Sequence, residues 1–321
     1  MPHYDDRDLR LAAAAAIRAP SLHNSQPWRF RLADGGIDIL ADTDRQLSVA
    51  DAGGWAVRIA CGAATLNARL ALAVNGTPAA VSLRPDPGSE VMARLTPDTA
   101  RPPTYTETEL FEAVPRRHSN RRPFWPNPVP PEIRARLLEA ARAEGGWLDL
   151  LVGMTALTGF SEIAHGADKV LRRDYDYQAE MSTWIHANAA PDGVPVTAGA
   201  PLAEPQDLLP QREFGVHRRG PGRDFEPEPL VAILGTSGDT PHDQIAAGQA
   251  LQRVLLTATN SGLASSMISQ PIEVPAARDQ LRRSLGRRGV PQMAIRIGYG
   301  DPTTPSARRD VTDVLMSPPP D

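Results

Sequence analysis

Near the start of the chain lies Ala19-Pro20-Ser21-Leu22-His23-Asn24-Ser25-Gln26-Pro27-Trp28, a compact polar loop between two apolar elements. It joins an alanine-rich helix, expected over residues 9–18, to a strand headed by Trp28. Pro, Ser and Asn are ordinary turn formers, so a capped helix end followed by a turn accounts for part of the pattern. Ser, Asn and Gln crowded into one rigid loop also hold donors and acceptors at fixed positions. That inventory suits the polar edge of a heterocycle or a polyol chain.

Working outward, Trp28 to Leu32 is a strand, Asp34-Gly35-Gly36 a hairpin turn, and Ile37 to Leu40 its return strand. Residues 55–75 form a long apolar helix stopped by Asn75-Gly76. Val81 to Leu83 is a short strand, and the proline-rich stretch from about 85 to 108 reads as a boundary. Beyond it come helices from Glu107 to Val114 and from Pro131 to Arg142, a strand from Trp147 to Val152, and a further helix. Residues 185–228 carry so much Pro and Gly that they read as a long ordered loop or lid. A buried strand from Leu230 to Leu234, a helix over 243–260, and strands at Ala264–Ile268 and Met293–Gly298 complete the chain.

The two halves echo each other. Gly62-Ala63-Ala64, Leu70 and Gly76 align with Gly248-Gln249-Ala250, Leu256 and Gly262 at an offset of 186. A helix ending at Arg18 and one ending at Arg142 each lead to a tryptophan-headed strand, but the second copy lacks 5 residues of the polar loop. A duplication is the expectation.

Composition limits the rest. Of 321 residues, 41% are hydrophobic and 22% charged, which suits a globular chain with a real core. The net charge of −4 gives no basic footprint for nucleic acid. Lys169 is the only lysine, so an anion must be held by guanidinium groups and backbone amides. Cys61 is the only cysteine and lies in an apolar helical run, the setting of an inert thiol. The acidic, polar start is no signal peptide, and the apolar run near Leu11 to Ile17 is too short for a bilayer. The expectation is a cytoplasmic protein with a small-molecule substrate and neither nucleic-acid nor membrane partners. G-x-G-x-x-G after a strand, a P-loop, G-x-S-x-G and zinc-type histidine spacing are all missing, which argues against Rossmann dehydrogenases, kinases, serine hydrolases and zinc enzymes.

Two more clusters could carry chemistry. Arg116-Arg117-His118-Ser119-Asn120-Arg121-Arg122 is either a solvated charge run or a set of forked guanidiniums and a hydroxyl for a phosphate and an electron-rich carbonyl. Ser306-Ala307-Arg308-Arg309-Asp310 is a second possible phosphate clamp.

Taken together, these stretches resemble a known family. Ala19-Pro20-Ser21-x-x-Asn24-Ser25-Gln26-Pro27-Trp28 resembles the A-P-S-x-x-N-x-Q-P-W loop of FMN-dependent nitroreductases. Arg117-His118-Ser119-Asn120-Arg121 is similar to that family's opening R-x-S-x-[KR]. Gln270-Pro271-Ile272-Glu273 resembles the segment whose backbone approaches the flavin, and Arg308/Arg309 its C-terminal phosphate-binding pair. In ordinary members the R-x-S-x-[KR] opening precedes the A-P-S loop, and two chains share each FMN. The reversed order here resembles the Acg-type branch, in which two units are joined in one polypeptide.

The resemblance implies an α+β nitroreductase-like fold, two units fused as a pseudo-dimer, with central antiparallel or mixed sheets flanked by helices. Residues 1–104 would be a truncated unit supplying the Ser/Asn/Gln loop. Residues 105–321 would be the fuller unit supplying the arginines, with the lid-like insertion at about 185–228. One FMN per chain would be bound by Ser21, Asn24 and Gln26 from the first unit, and by Arg117, His118, Ser119, Arg121, Pro271, Glu273, Arg308 and Arg309 from the second. Arg308/Arg309 with Arg117 and Ser119 would take the phosphate and ribityl chain, and Arg121 the pyrimidine end. Pro271 would pack on the ring, and the Glu273 N–H would face N5 with its side chain incidental. His23 and His118 read as structural. No protein acid or base is required, because the flavin carries the chemistry. The implied activity is hydride transfer from NAD(P)H through FMN to a small electrophile such as a nitroaromatic or quinone. The alternatives are an FMN-sequestering protein with its flavin behind the lid, and an anion-binding regulatory module without flavin. A monomeric pseudo-dimer or a higher homo-oligomer fits either flavin reading.

Overall fold

The computed structural model describes residues 3–84, 88–188, 190–199, 207–212, 214, 226 and 228–317. Much of the expected lid, and Pro85 to Pro87 of the expected boundary, lie outside the described residues. Helix α1 (Asp6–Ala16) starts earlier than the alanine run because Asp5 and Asp8 close a capping box. Strands β1 (Trp28–Ala33) and β2 (Gly36–Ala41) pair antiparallel across Asp34-Gly35, both at positive φ (49° and 72°), as a twist-matched two-residue hairpin requires. Helix α2 (Trp55–Val74) follows, its first turn capped by Asp51, which accepts from the Ala56 and Val57 amides at 2.8 and 2.9 Å. Strands β3 (Ala79–Leu83) and β4 (Val91–Pro97) complete an antiparallel sheet of order β1-β2-β4-β3.

Two details differ from expectation. Strand β4 lies inside the stretch read as a boundary, where flanking prolines hid a strand that fills the gap between β2 and β3. Its Arg94 reaches the fully buried Asp38 at 2.6 Å. The most apolar stretch is α2 itself, not residues 11–17. Among the described residues it is the one helix long and apolar enough to cross a membrane, and 83% of that window is buried within the fold.

Helix α3 (Tyr105–Ala113) leads to α4 (Pro131–Arg142), β5 (Trp147–Leu151), α5 (Met154–Arg173) and α6 (Tyr175–Thr183). A two-residue parallel pair, β6 (Ile185–His186) with β7 (Val194–Pro195), opens the former lid region. Then come β8 (Leu230–Thr236), α7 (Pro241–Asn260), β9 (Ala264–Ile268), α8 (Gln270–Glu273), α9 (Pro275–Ser284) and β10 (Val290–Gly298). The second sheet has the order β5-β8-β10-β9, again antiparallel throughout. In each half the second strand runs into a long helix and then the third strand, so both halves repeat one α+β topology.

The halves meet helix to helix. A Cβ added at Gly62 would lie 2.0 Å from the Ile245 carbonyl oxygen, and one at Gly248 would lie 2.1 Å from the Ile59 oxygen. Gly62 and Gly248 are 186 positions apart, as are Ile59 and Ile245, so the contact is reciprocal, as a two-fold interface is. Arg58 Nε donates to Gln244 Oε1 at 2.5 Å across the same offset. Helix α3 covers this junction, with Leu110, Ala113 and Val114 packed on Leu66 and Leu256. After β10 the chain returns to the first sheet, where the Met316 N–H donates to Phe30 O at 2.8 Å.

Any side chain at either glycine must push a helix backbone away. Gly62→Ala and Gly248→Ala should each destabilise the protein by about 1–3 kcal/mol or more, the cost of overpacking a close helix contact. Thermal or denaturant unfolding reads this directly, and melts unchanged in both variants would refute the contact.

Candidate functional site

A cleft open to solvent, with about 930 Å³ of space in and above it, runs between the halves. The first half contributes Pro20, Ser21 and His23 from the polar loop and Trp55, Ile59 and Ala60 from α2. The second contributes Ser119, Arg121, Leu251, Met267 and Gln270. A narrower chamber adjoins it, sharing Pro20, Ser21, Ser119, Arg121 and Met267, and reaches Asn24, Arg117 and Arg308.

The early loop is braced into an unusual shape. His23, Asn24 and Gln26 all have positive φ (49°, 56° and 52°), a conformation that costs a non-glycine residue about 1 kcal/mol or more and is kept only where neighbours enforce it. Ser21 Oγ accepts from the Gln26 N–H at 2.9 Å, which leaves its own O–H free to donate. Asn24 Nδ2 donates to Gly193 O and Ala307 O at 3.0 and 3.1 Å. Gln26 is fully buried and lies away from the cleft lining. It donates to Pro191 O at 2.8 Å and accepts from the Arg309 N–H at 2.9 Å, fastening the loop to two distant segments.

On the facing wall, the Asn120 N–H donates to Ser265 O at 2.8 Å, which pins the Arg117–Arg121 segment along β9. Arg117 is buried, and its Nη2 reaches only Arg18 O at 3.3 Å while Nε and Nη1 have no partner. Burial and the neighbouring Arg308 push its pKa down to about 9. Arg308 touches only backbone oxygens, Ser306 and Ala307 at 3.0 Å and Ala19 at 3.3 Å, and its pKa falls to about 10 through burial and Arg18. Arg121 lies over the Phe214 ring at 4.6 Å and donates to Ala198 O at 3.3 Å, with its pKa lowered to about 10 by burial and Arg212. Among the described residues no carboxylate pairs with any of the three. A buried cation without a counterion is strongly unfavourable.

The chain matches the Nitroreductase family model over residues 114–299. It is 33% identical over 329 residues to the Mycobacterium tuberculosis protein named "Putative NAD(P)H nitroreductase Rv3131", covering 98% of this chain and 93% of that one. It is 28% identical over 319 residues to the same organism's "Putative NAD(P)H nitroreductase acg", with 96% and 95% covered. The chain belongs to the nitroreductase family. It is Acg-like, since the match to acg spans nearly the whole of both chains. A solved FMN-bound nitroreductase from Desulfitobacterium hafniense is 15% identical, covers 64% of this chain and 96% of its own, and superposes with a TM-score of 0.43.

In this nitroreductase the expected site residues separate into two groups. Ser21, Asn24, Arg117, His118, Ser119, Arg121 and Arg308 gather around the cleft. Gln26, Pro271, Glu273 and Arg309 stand behind it. Arg309 binds Asp42 and Gln26 O, both at 3.4 Å, and Asp313 O at 2.8 Å, so its charge is engaged away from the chamber, with Asp42 rather than Asp310 as its carboxylate. The Glu273 picture needs correction. Its N–H is spent on Ser269 O at 3.0 Å in the turn of α8, and its side chain is far from incidental. The carboxylate, buried, pairs with Arg212 and accepts from the Tyr177 hydroxyl at 2.8 Å. His118 Nδ1 lies 2.9 Å from Arg116 O at the rim. Pro271 is buried within α8, while the preceding Gln270 faces the cleft.

Sequence reasoning missed one wall. Leu209, Pro210, Gln211, Arg212 and Phe214 line the cleft, and nothing in the local pattern of that proline-rich loop marks Arg212 as partner to Tyr177 and Glu273.

Replacing Arg117 by methionine keeps most of its volume and removes the unpaired charge. Arg117→Met should therefore raise the melting temperature of ligand-free protein, by roughly 1 kcal/mol or more of stability. It should also abolish the stabilisation that inorganic phosphate gives the wild type, about 2.7 kcal/mol at a hundredfold excess over Kd. A variant less stable than wild type and still stabilised by phosphate would overturn the anion assignment.

Proposed function

We propose that this chain is an FMN-dependent oxidoreductase that binds one FMN per polypeptide across the junction of two fused nitroreductase-like units. The observation that carries this reading is a cluster of buried arginines, with no carboxylate on them among the described residues, at one end of a cleft whose other end is largely apolar. A phosphate monoester attached to a flat ring matches both ends. The family supports the same cofactor: the solved relatives include an FMN and NADPH-dependent nitroreductase.

Arg117 and Arg308 would hold the phosphate, with Ser21 and Ser119 offering hydroxyls to the polar chain. Ile59, Ala60, Leu251 and Met267 would pack against the ring, and Arg121 would set positive charge beside it, which favours an electron-rich reduced ring. When bound, FMN supplies a hydride carrier between NAD(P)H and a small electrophile such as a nitroaromatic or quinone. The chain's own work is to bind, orient and exclude water. A single site per chain follows from the turn that replaces the polar loop in the second half. There Arg142 to Trp147 is closed by Gly145 at φ 76°, and a Cβ at Gly146 would already sit 3.0 Å from the Ala250 Cβ. We place the first unit at 1–104 and the second at 105–321, with Leu209 to Arg212 and Phe214, in the insertion at about 185–228, as part of a lid over the ring. The same reading makes the protein cytoplasmic, a pseudo-dimer in one chain, with no nucleic-acid or membrane partner.

Purified protein saturated with FMN should be yellow with one equivalent bound, and anaerobic NADPH should bleach it within a turnover time. Arg117→Ala and Arg308→Glu should be colourless. Flavin retained in both variants would remove the site, two equivalents would remove the single-site claim, and reduction by dithionite but not NADPH would convert the reading to FMN storage.

A further inference from the structure

His23 is the residue that the cofactor reading leaves unexplained. It is buried, lines the cleft, and is held at φ 49° in the braced loop, with its ring tilted against Phe214 at 5.6 Å between centroids. Its Nε2 lies 3.1 Å from Arg212 Nη1. A guanidinium can only donate, so Nε2 must be the acceptor, and the ring proton resides on Nδ1. Arg212 is itself immobilised: it pairs with the Glu273 carboxylate, donates to the Tyr177 hydroxyl, and donates to Ser269 Oγ at 3.2 Å. The chain Glu273–Arg212–His23 therefore fixes one tautomer, in the way that outer partners fix the ring of a metal-binding histidine. Burial with Arg212 and Arg121 nearby holds the pKa of His23 well below its usual value, so the ring is neutral. Among the described residues its Nδ1 has no partner. A buried, unpartnered N–H on a side chain that lines the cleft, with its tautomer set by the immobilised Arg212, is an unspent donor.

We infer that His23 is a specificity-determining residue whose Nδ1–H donates to an acceptor oxygen of the electrophile, a quinone carbonyl or a nitro oxygen. This rests on the oxidoreductase reading above and deepens it. A preorganised donor aimed where negative charge develops on an accepting oxygen favours substrates that carry one. No proton leaves the ring: the histidine orients and polarises, and the Glu273–Arg212 pair keeps it from turning over.

The test has two arms. In the first, protein labelled with nitrogen-15 histidine is examined by NMR as purified and oxidised, without reductant, before and after addition of menadione. His23 should show Nδ1 protonated and Nε2 bare, and the Nδ1–H resonance should move on addition of the quinone. A ring protonated at Nε2, or an Nδ1–H that menadione leaves in place, overturns the inference whether or not flavin is present. The second arm compares His23→Phe with His23→Asn, which returns an N–H near the Nδ1 position and tolerates positive φ. Per equivalent of flavin that each variant retains, His23→Phe should show the wild-type KM for ferricyanide, since that acceptor needs no hydrogen bond. Its KM for menadione should rise about tenfold, the loss of one buried hydrogen bond, and His23→Asn should recover most of that loss. Equal KM values in wild type and His23→Phe would sink the role of His23 alone. A wild type that is colourless, or yellow and untouched by NADPH, would sink the oxidoreductase reading instead, and the NMR arm would still decide whether the donor meets the quinone.

Discussion

Two glycines pressed against two carbonyl oxygens hold this molecule in its shape. Gly62 of α2 and Gly248 of α7 allow the helix backbones to meet with no side chain between them, and helices that close cannot slide without large steric penalties. The halves are thereby locked with α2 and α7 side by side, and the N-terminal part of α2 forms one wall of a cleft whose other wall comes from α7, β9 and the Arg117–Arg121 segment. Neither half has both walls. The return of the chain to β1 after β10 completes the arrangement, because it brings Arg308 back to Ala19 at the start of the polar loop.

Electrostatics distinguishes the cleft from the rest of the protein. Elsewhere, several buried or half-buried arginines have carboxylates: Arg94 and Arg31 share Asp38, Arg69 and Arg253 share Glu144, and Arg296 pairs with Glu226. Among the described residues Arg117, Arg308 and Arg121 meet backbone oxygens, one aromatic face and the fields of other arginines. Among the described residues these three guanidiniums are therefore the buried cations grouped in one place without a carboxylate. Their desolvation without a counter-charge costs stability.

The loop and the far wall are coupled through strain. Residues 23, 24 and 26 stay at positive φ because Gln26, Asn24 and His23 are each tied to segments more than a hundred residues away, at Pro191, Gly193, Ala307 and Arg212. Those ties mean that the proline-rich segment and the polar loop move together or not at all. They also explain why Gln26, which resembles a ligand-binding residue in sequence, does its work as a brace.

How much was legible in the sequence follows from the range of each interaction. The helices, the Asp34-Gly35 hairpin, the tryptophan-headed strands and the offset of 186 are local or repeated patterns, and local sterics write them into the chain. The gathering of Ser21, Asn24, Arg117, Ser119, Arg121 and Arg308 was readable because they lie in short recognisable motifs. Strand β4 was not, since its neighbours in the sheet, rather than its own proline-flanked sequence, make it a strand. Nor could spacing say which of Arg308 and Arg309 faces the chamber: adjacent residues share every sequence property, and only the position of Asp42 separates them. The tautomer of His23 depends on Arg212, Tyr177 and Glu273, which lie 189, 154 and 250 positions away in the chain. Sequence determined the elements and the chemistry on offer. Tertiary packing decided which groups were paired and silent, and which were left open, because charge compensation and desolvation act through space and not along the chain.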